Sequence, residues 1–195
     1  MVRYVDVHRA EKDNGSMRTI DRATSALVIV DVQTRLMPAI EDGGTAIANT
    51  RRLLDAAALL DVPVRFTEQN PHGLGATVPA LAQACVEGSV LHKLTFDACR
   101  TDARLDWLPN RSSLVITGCE AHVCVLQTVL GLLDAGRQVY VVEDAVGSRR
   151  AANKTAALHR MARHGAEIVT TEMVVFEWLV TAEHPRFREV IALVK

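Results

Sequence analysis

The feature that most constrains this chain is a set of short runs in which nearly every residue is apolar and many are β-branched. ALVIV (26–30), SLVIT (113–117) and VYVV (139–142) are the clearest. A strand with one wet face alternates apolar and polar residues. A run with no polar alternation fits a strand covered on both faces, as in a parallel sheet. Runs of this kind place strands at 25–31, 62–67, 88–92, 112–117, 137–142 and 166–170. Helical patterns fall between them, at 45–60, 122–135 and 149–164, with a last helix over 185–194. Proline at Pro63 and glycines at Gly136 and Gly165 stop the first three, and Ser148 is placed to cap the third. Strand–helix alternation of this regularity predicts an α/β fold in three layers, α-β-α. Its six-stranded, mostly parallel, Rossmann-like sheet carries helices on both faces.

Chain length favours one domain: 195 residues without repeat, low-complexity tract or linker. Residues 1–22 are polar and contain Asp6, Glu11, Asp13 and Asp21, which predicts a flexible N-terminal arm ahead of a domain over 23–195. The acids there do not suit a transit peptide, and no apolar stretch reaches the ~18 residues of a membrane span. A net charge of −1 offers no electrostatic footprint for nucleic acid or for an anionic membrane. The four cysteines, at 85, 99, 119 and 124, match no C-x-x-C metal or redox spacing. Reduced thiols and a cytoplasmic location are therefore expected.

In open α/β sheets, sites form beyond the carboxyl ends of the strands. Asp31, Glu68, Lys93, Glu120 and Asp144 all fall at such ends. Cys124 follows the run SLVITG and lies on the first turn of the next helical pattern. A thiol there gains from the positive end of the helix, which favours thiolate. Each residue has a plainer reading: Cys124 as a packed structural cysteine, Asp31 as a helix cap, Lys93 as a solvated rim residue. Together they form an acid, an amine and a thiol able to meet at one sheet edge. Asp31 would then serve as general base, and Lys93 would pair with it and lower the thiol pKa. No cofactor is expected, since the loop after the first strand lacks Gly-x-Gly-x-x-Gly. No Gly-x-Ser-x-Gly nucleophile elbow exists either. No metal is expected either, because His72 and His122 have no partner at metal-ligand spacing.

Four segments carry a family resemblance: DVQ (31–33), HKLTFDA (92–98), GCEAHVCV (118–125) and EDAVGSR (143–149). In this order they resemble the isochorismatase-like cysteine hydrolases, and RFTEQNPHGLGATVPAL (65–81) resembles a subgroup of isochorismatase-domain proteins whose substrates are unassigned. The resemblance implies an Asp–Lys–Cys triad of Asp31, Lys93 and Cys124. It also implies an oxyanion hole from the backbone amides of Glu120 and Cys124, and a cis peptide between Cys119 and Glu120. It implies a homo-oligomer, dimeric or larger. Gln69, His72, Thr95, Phe96 and His122 are candidate substrate contacts. Where related nicotinamidases hold a metal, this chain reads TEQNPH, with Asn70 in place of a first histidine. True isochorismatases act on a vinyl ether and lack the nucleophilic cysteine. The expected activity is therefore hydrolysis of a small amide or related C–N bond through a thioester. A vinyl ether hydrolase and a non-enzymatic assembly or binding scaffold are the alternatives.

Overall fold

The computed structural model describes residues 18–103 and 105–195. Six strands, β1 (Ser25–Val30), β2 (Val64–Gln69), β3 (Val90–Lys93), β4 (Ser113–Cys119), β5 (Gln138–Gly147) and β6 (Glu167–Val169), form one sheet in the order β3-β2-β1-β4-β5-β6. Every adjacent pair is parallel. The strand order reverses between β1 and β4, and the crevice beyond their carboxyl ends is where such a sheet offers a binding site.

Alternate residues of the central strands feed two separate cores. Leu27, Ile29, Val115, Tyr140 and Val142 face α1 (Gly43–Leu59), α3 (Pro79–Ala82), α6 (Thr171–Leu179) and α7 (Phe187–Ile191). Ala26, Val28, Val30, Leu114, Ile116, Val139 and Val141 face α4 (Leu126–Asp134) and α5 (Ala151–Arg163). A four-residue helix, α2 (Pro71–Leu74), lies in the loop after β2. Residues 26–30 are at most 1% exposed, which is why their sequence shows no polar alternation. Among the described residues, no helix is long and apolar enough to cross a membrane.

The structure moves several expected boundaries. β5 runs on to Gly147, past the expected end at 142, because the β4–β5 register shifts between Ile116 and Gly118 and pairing resumes at Val146. Asp144 therefore sits within a strand rather than at its end. The expected helix over 122–135 is two pieces: a π-helical turn at Ala121–Val125, then α4. Ser148 does not cap α5; Arg150 occupies that position, and the Ser148 hydroxyl meets the His122 ring instead. Helix α6 was not legible as a helix. Of the arm expected over 1–22, residues 1–17 lie outside the described residues. Ile20 is buried, its amide donates to Glu177, and Arg22 donates to the Trp178 carbonyl.

Candidate active site

The sheet edge at the strand reversal is built from three chain turns. The first leaves β1 at Asp31, whose φ of 50° bends the chain sharply so that its side chain turns back over the sheet. The Asp31 amide donates to the Thr67 carbonyl on β2, and the Thr67 hydroxyl donates to Asp31 Oδ1. Lys93, the last residue of β3, reaches Asp31 Oδ2 with Nζ at 2.7 Å. Neither side chain has any solvent exposure. The remaining protons of the ammonium point to the carbonyls of Thr95 and Phe96, each at 3.3 Å. An ammonium has three donors, and all three have acceptors.

The second turn leaves β4 at Gly118. Its φ is 115°, and a Cβ there would meet the Val30 carbonyl oxygen at 1.9 Å, so only glycine fits. The Cys119–Glu120 peptide is cis. The Val123 and Val125 amides both donate to the Glu120 carbonyl, and the second of these bonds spans five residues, opening the turn to π-helical width. Cys124 lies in that turn and is 7% exposed. Its thiol feels both Asp31 and Lys93, and the net shift is opposite to the one expected from sequence. Burial first, then the Asp31 carboxylate, push the thiol well above its ordinary range; Lys93 pulls it down by less. The lowering expected from the cation is present but outweighed, so the net shift of the Cys124 thiol is upward. The other cysteines are raised too. Burial lifts Cys119 and Cys99 to about 12, and raises Cys85 as well.

The third turn follows β5. Glu120 Oε2 accepts from the Arg149 amide and from Arg149 Nε, each at 3.0 Å, tying the cis turn to the β5–α5 loop. His122 is held between Ser148, 3.0 Å from Nδ1, and Asn153, 3.4 Å from Nε2.

The other candidate contacts are placed as follows. Gln69 ends β2, and its side-chain amide donates to the Leu94 carbonyl. The Thr95 hydroxyl donates to the Asp97 carbonyl. Phe96 is 50% exposed and projects from the loop after β3. His72 is exposed on α2, where its carbonyl accepts from Arg35. Asp31, Lys93 and Cys124 thus bear on one another, while His72 is exposed on the separate turn α2. Two other acids, expected at strand ends, are committed elsewhere. Glu68 accepts from the amide and hydroxyl of Thr77 and faces His92 at 3.2 Å. Asp144 accepts from the amide and hydroxyl of Thr171. Sequence reasoning assigned no role to Thr67 or Gln33, although Gln33 stands within the DVQ segment. Among the described residues, no three His, Cys, Asp or Glu side chains gather as a metal set.

The six-stranded all-parallel sheet with its flanking helices is the isochorismatase-like fold. The Isochorismatase domain matches residues 25–173, and the chain belongs to that family. It is 36% identical over 187 residues to isochorismatase domain-containing protein 1 of Danio rerio, covering 95% of this chain and 66% of that protein. It is 38% identical over 174 residues to isochorismatase domain-containing protein 2 of Homo sapiens, covering 88% and 83%. The chain spans only 66% and 62% of the lengths of the Danio rerio and Salmo salar domain-containing protein 1 relatives. Among solved structures, MAR1 ribonuclease from Caenorhabditis elegans superposes with a TM-score of 0.84 at 37% identity, covering 90% of this chain and 92% of that one. The Escherichia coli YcaC gene product, described as an octameric hydrolase of unknown specificity, superposes with a TM-score of 0.82 at 24% identity, covering 92% and 88%. The latter shows the fold alone.

Proposed function

We propose that the protein hydrolyses a small amide or related C–N bond through a thioester on Cys124. The observation that carries this is the Asp31–Lys93 pair at 2.7 Å, wholly excluded from solvent and bearing on the Cys124 thiol. Removing two charges from water is costly, and a fold gains little stability from it. A base that must take a proton from a neutral, buried thiol gives the pair a use.

The Asp31 carboxylate accepts the thiol proton as Cys124 Sγ bonds to the carbonyl carbon. The backbone amides of Glu120 and Cys124 hold the resulting oxyanion, a contribution of about 3–4 kcal/mol per donor. Collapse breaks the C–N bond, and Asp31 returns the proton to the leaving amine. Asp31 then takes a proton from water as the water oxygen attacks the thioester carbonyl. Collapse of this second intermediate releases the acid, and Asp31 hands its proton to the departing sulfur. Lys93 stays charged throughout and fixes the carboxylate.

Gln69, Thr95 and His122 have polar groups already engaged within the chain, so they would shape the pocket and offer only their free lone pairs or protons. Phe96 gives it an apolar side, and His72 stands at its rim. The protein acts on a small molecule, as a homo-oligomer in a reducing, cytoplasmic setting. Support for assembly is the exposed apolar surface of Leu94, Phe96, Met173, Phe176 and Val180.

The test is hydrolysis across a panel of small amides, with a vinyl ether and an RNA oligonucleotide alongside, in wild type, Cys124→Ala and Cys124→Ser. Amide turnover lost in both variants, with unchanged circular dichroism, is the expected result. Full residual activity in Cys124→Ala, or activity confined to the ether or the RNA, would overturn the reading. Absence of turnover on every substrate, with an inert Cys124, would favour a non-enzymatic scaffold.

A further inference from the structure

Gln33 is fully buried, two residues beyond Asp31. Its carboxamide runs alongside the backbone of Gln69 as a neighbouring strand would. Oε1 accepts from the Gln69 amide at 2.9 Å, and Nε2 donates to the Gln69 carbonyl at 3.1 Å. The second Nε2 proton goes to the Gly75 carbonyl at 2.6 Å. The main chain of Gln33 is equally committed. Its amide donates to the Asp31 carbonyl at 3.0 Å, and it forms an antiparallel bridge with Thr77.

Gln69 in turn sits opposite Lys93 in the β2–β3 register, and the next amide, that of Asn70, donates to the Lys93 carbonyl at 2.8 Å. One side chain therefore joins the turn that carries Asp31 to the strand rung that carries Lys93. The polarity is specific. A carboxylate in place of the amide would set oxygen against the Gln69 and Gly75 carbonyls, and an apolar side chain would leave the Gln69 amide without its acceptor.

We propose that Gln33 is a positioning residue: its carboxamide holds the Asp31 turn in register with the Gln69–Lys93 rung and so fixes the Asp31–Lys93 pair. This rests on that pair being the reacting base and its partner. The test reads the pair itself rather than turnover. Lys93 is one of four lysines in the sequence, and its ammonium has all three protons donated inside the protein. In a protein labelled with ¹⁵Nζ-lysine it gives a slowly exchanging ammonium signal, assigned by its loss in Lys93→Arg.

Gln33→Leu is expected to speed solvent exchange of that signal about tenfold, the scale of losing one or two hydrogen bonds. Gln33→Glu separates register from bulk. The introduced carboxyl is buried and its pKa raised, so at about pH 5 it is neutral and can donate to one carbonyl, whereas at about pH 8 it opposes both. The Lys93 signal should match wild type at the lower pH and exchange faster than wild type at the higher. A Lys93 signal unchanged in both variants would overturn the proposal. So would a Gln33→Glu signal equally perturbed at both pH values, which marks mere loss of packing. If Gln33→Leu does not fold, the Gln33→Glu comparison decides alone. An amide panel that shows no turnover would defeat the hydrolase reading without touching this result.

Discussion

Asp31 and Asp144 look alike from a distance. Each lies toward the carboxyl half of a parallel strand region, and each accepts a hydrogen bond from a threonine hydroxyl, Thr67 or Thr171. Their surroundings differ in one respect. Asp144 Oδ1 takes the amide and hydroxyl of Thr171 at the start of α6, so its charge is spent on the unpaired donors of a helix N-terminus. Asp31 takes a buried ammonium and faces a buried thiol. The first arrangement anchors a helix, and the second keeps a buried ion pair beside a thiol. What separates them is the partner that the fold supplies, not the position of the acid along its strand.

The largest test of this contrast is catalytic. Asp31→Asn should lower turnover on a hydrolysed amide about 10³-fold, the usual scale of general-base removal, while Asp144→Asn leaves it within a few fold. Steady-state kinetics on both variants checks this, and comparable losses would erase the distinction. Next is the buried charge. Lys93→Met strands an unpaired carboxylate and should cost about 3–5 kcal/mol in urea unfolding. Adding Asp31→Asn should return much of that loss, whereas no such coupling is expected between Lys93 and Asp144. A smaller effect attends the anchor: Asp144→Ala, which frees the Thr171 amide, should cost about 1–3 kcal/mol with the site chemistry intact.

The smallest effect concerns the thiol. Because the Asp31 charge raises the Cys124 pKa, removing it lowers that pKa and increases thiolate at any given pH. Iodoacetamide labelling of Cys124, read by mass spectrometry, should therefore be faster at pH 8 in Asp31→Asn than in wild type. In wild type it should still be climbing past pH 9. Raised cysteine pKa values also set a pH dependence of stability. The folded chain holds these protons more tightly than the unfolded one, whose thiols titrate near ~8.5. The contribution is fully present below that pH and is lost as pH rises toward the folded values of about 12 at Cys99 and Cys119.

The sheet was legible because burial on both faces leaves a simple mark, and five residues such as Ala26–Val30 carry it without help from distant contacts. Asp31 and Lys93 were legible as strand-end polar groups in an apolar setting, and Cys124 as a thiol on the first turn after a strand. The sign of the thiol's electrostatics was not. The helix-end argument assumed a solvated thiol on a regular first turn, whereas Cys124 lies in a buried π-helical turn, where desolvation outweighs Lys93. The extension of β5 depends on a register shift against β4, which no local pattern announces. Helix α6, TEMVVFEWL, is apolar nearly all round, so a helical period barely shows. Ser148 had the right chemistry for a cap, but tertiary contact with His122 claimed it. Gln33 was passed over because a glutamine two residues past a strand gives no sign of where its amide will reach.

Gly118 pairs with Val30 at the last rung before the acid turn on one strand and the thiol turn on the other. Two halves of the chemistry, distant in the chain, meet across a gap with no room for a methyl group. An alanine there would disturb both turns at once in any functional screen, although position 118 has no side chain that could react. Intolerance at that glycine measures how closely two backbones must pass, and a mutational map that equates intolerance with chemistry would count one catalytic residue too many.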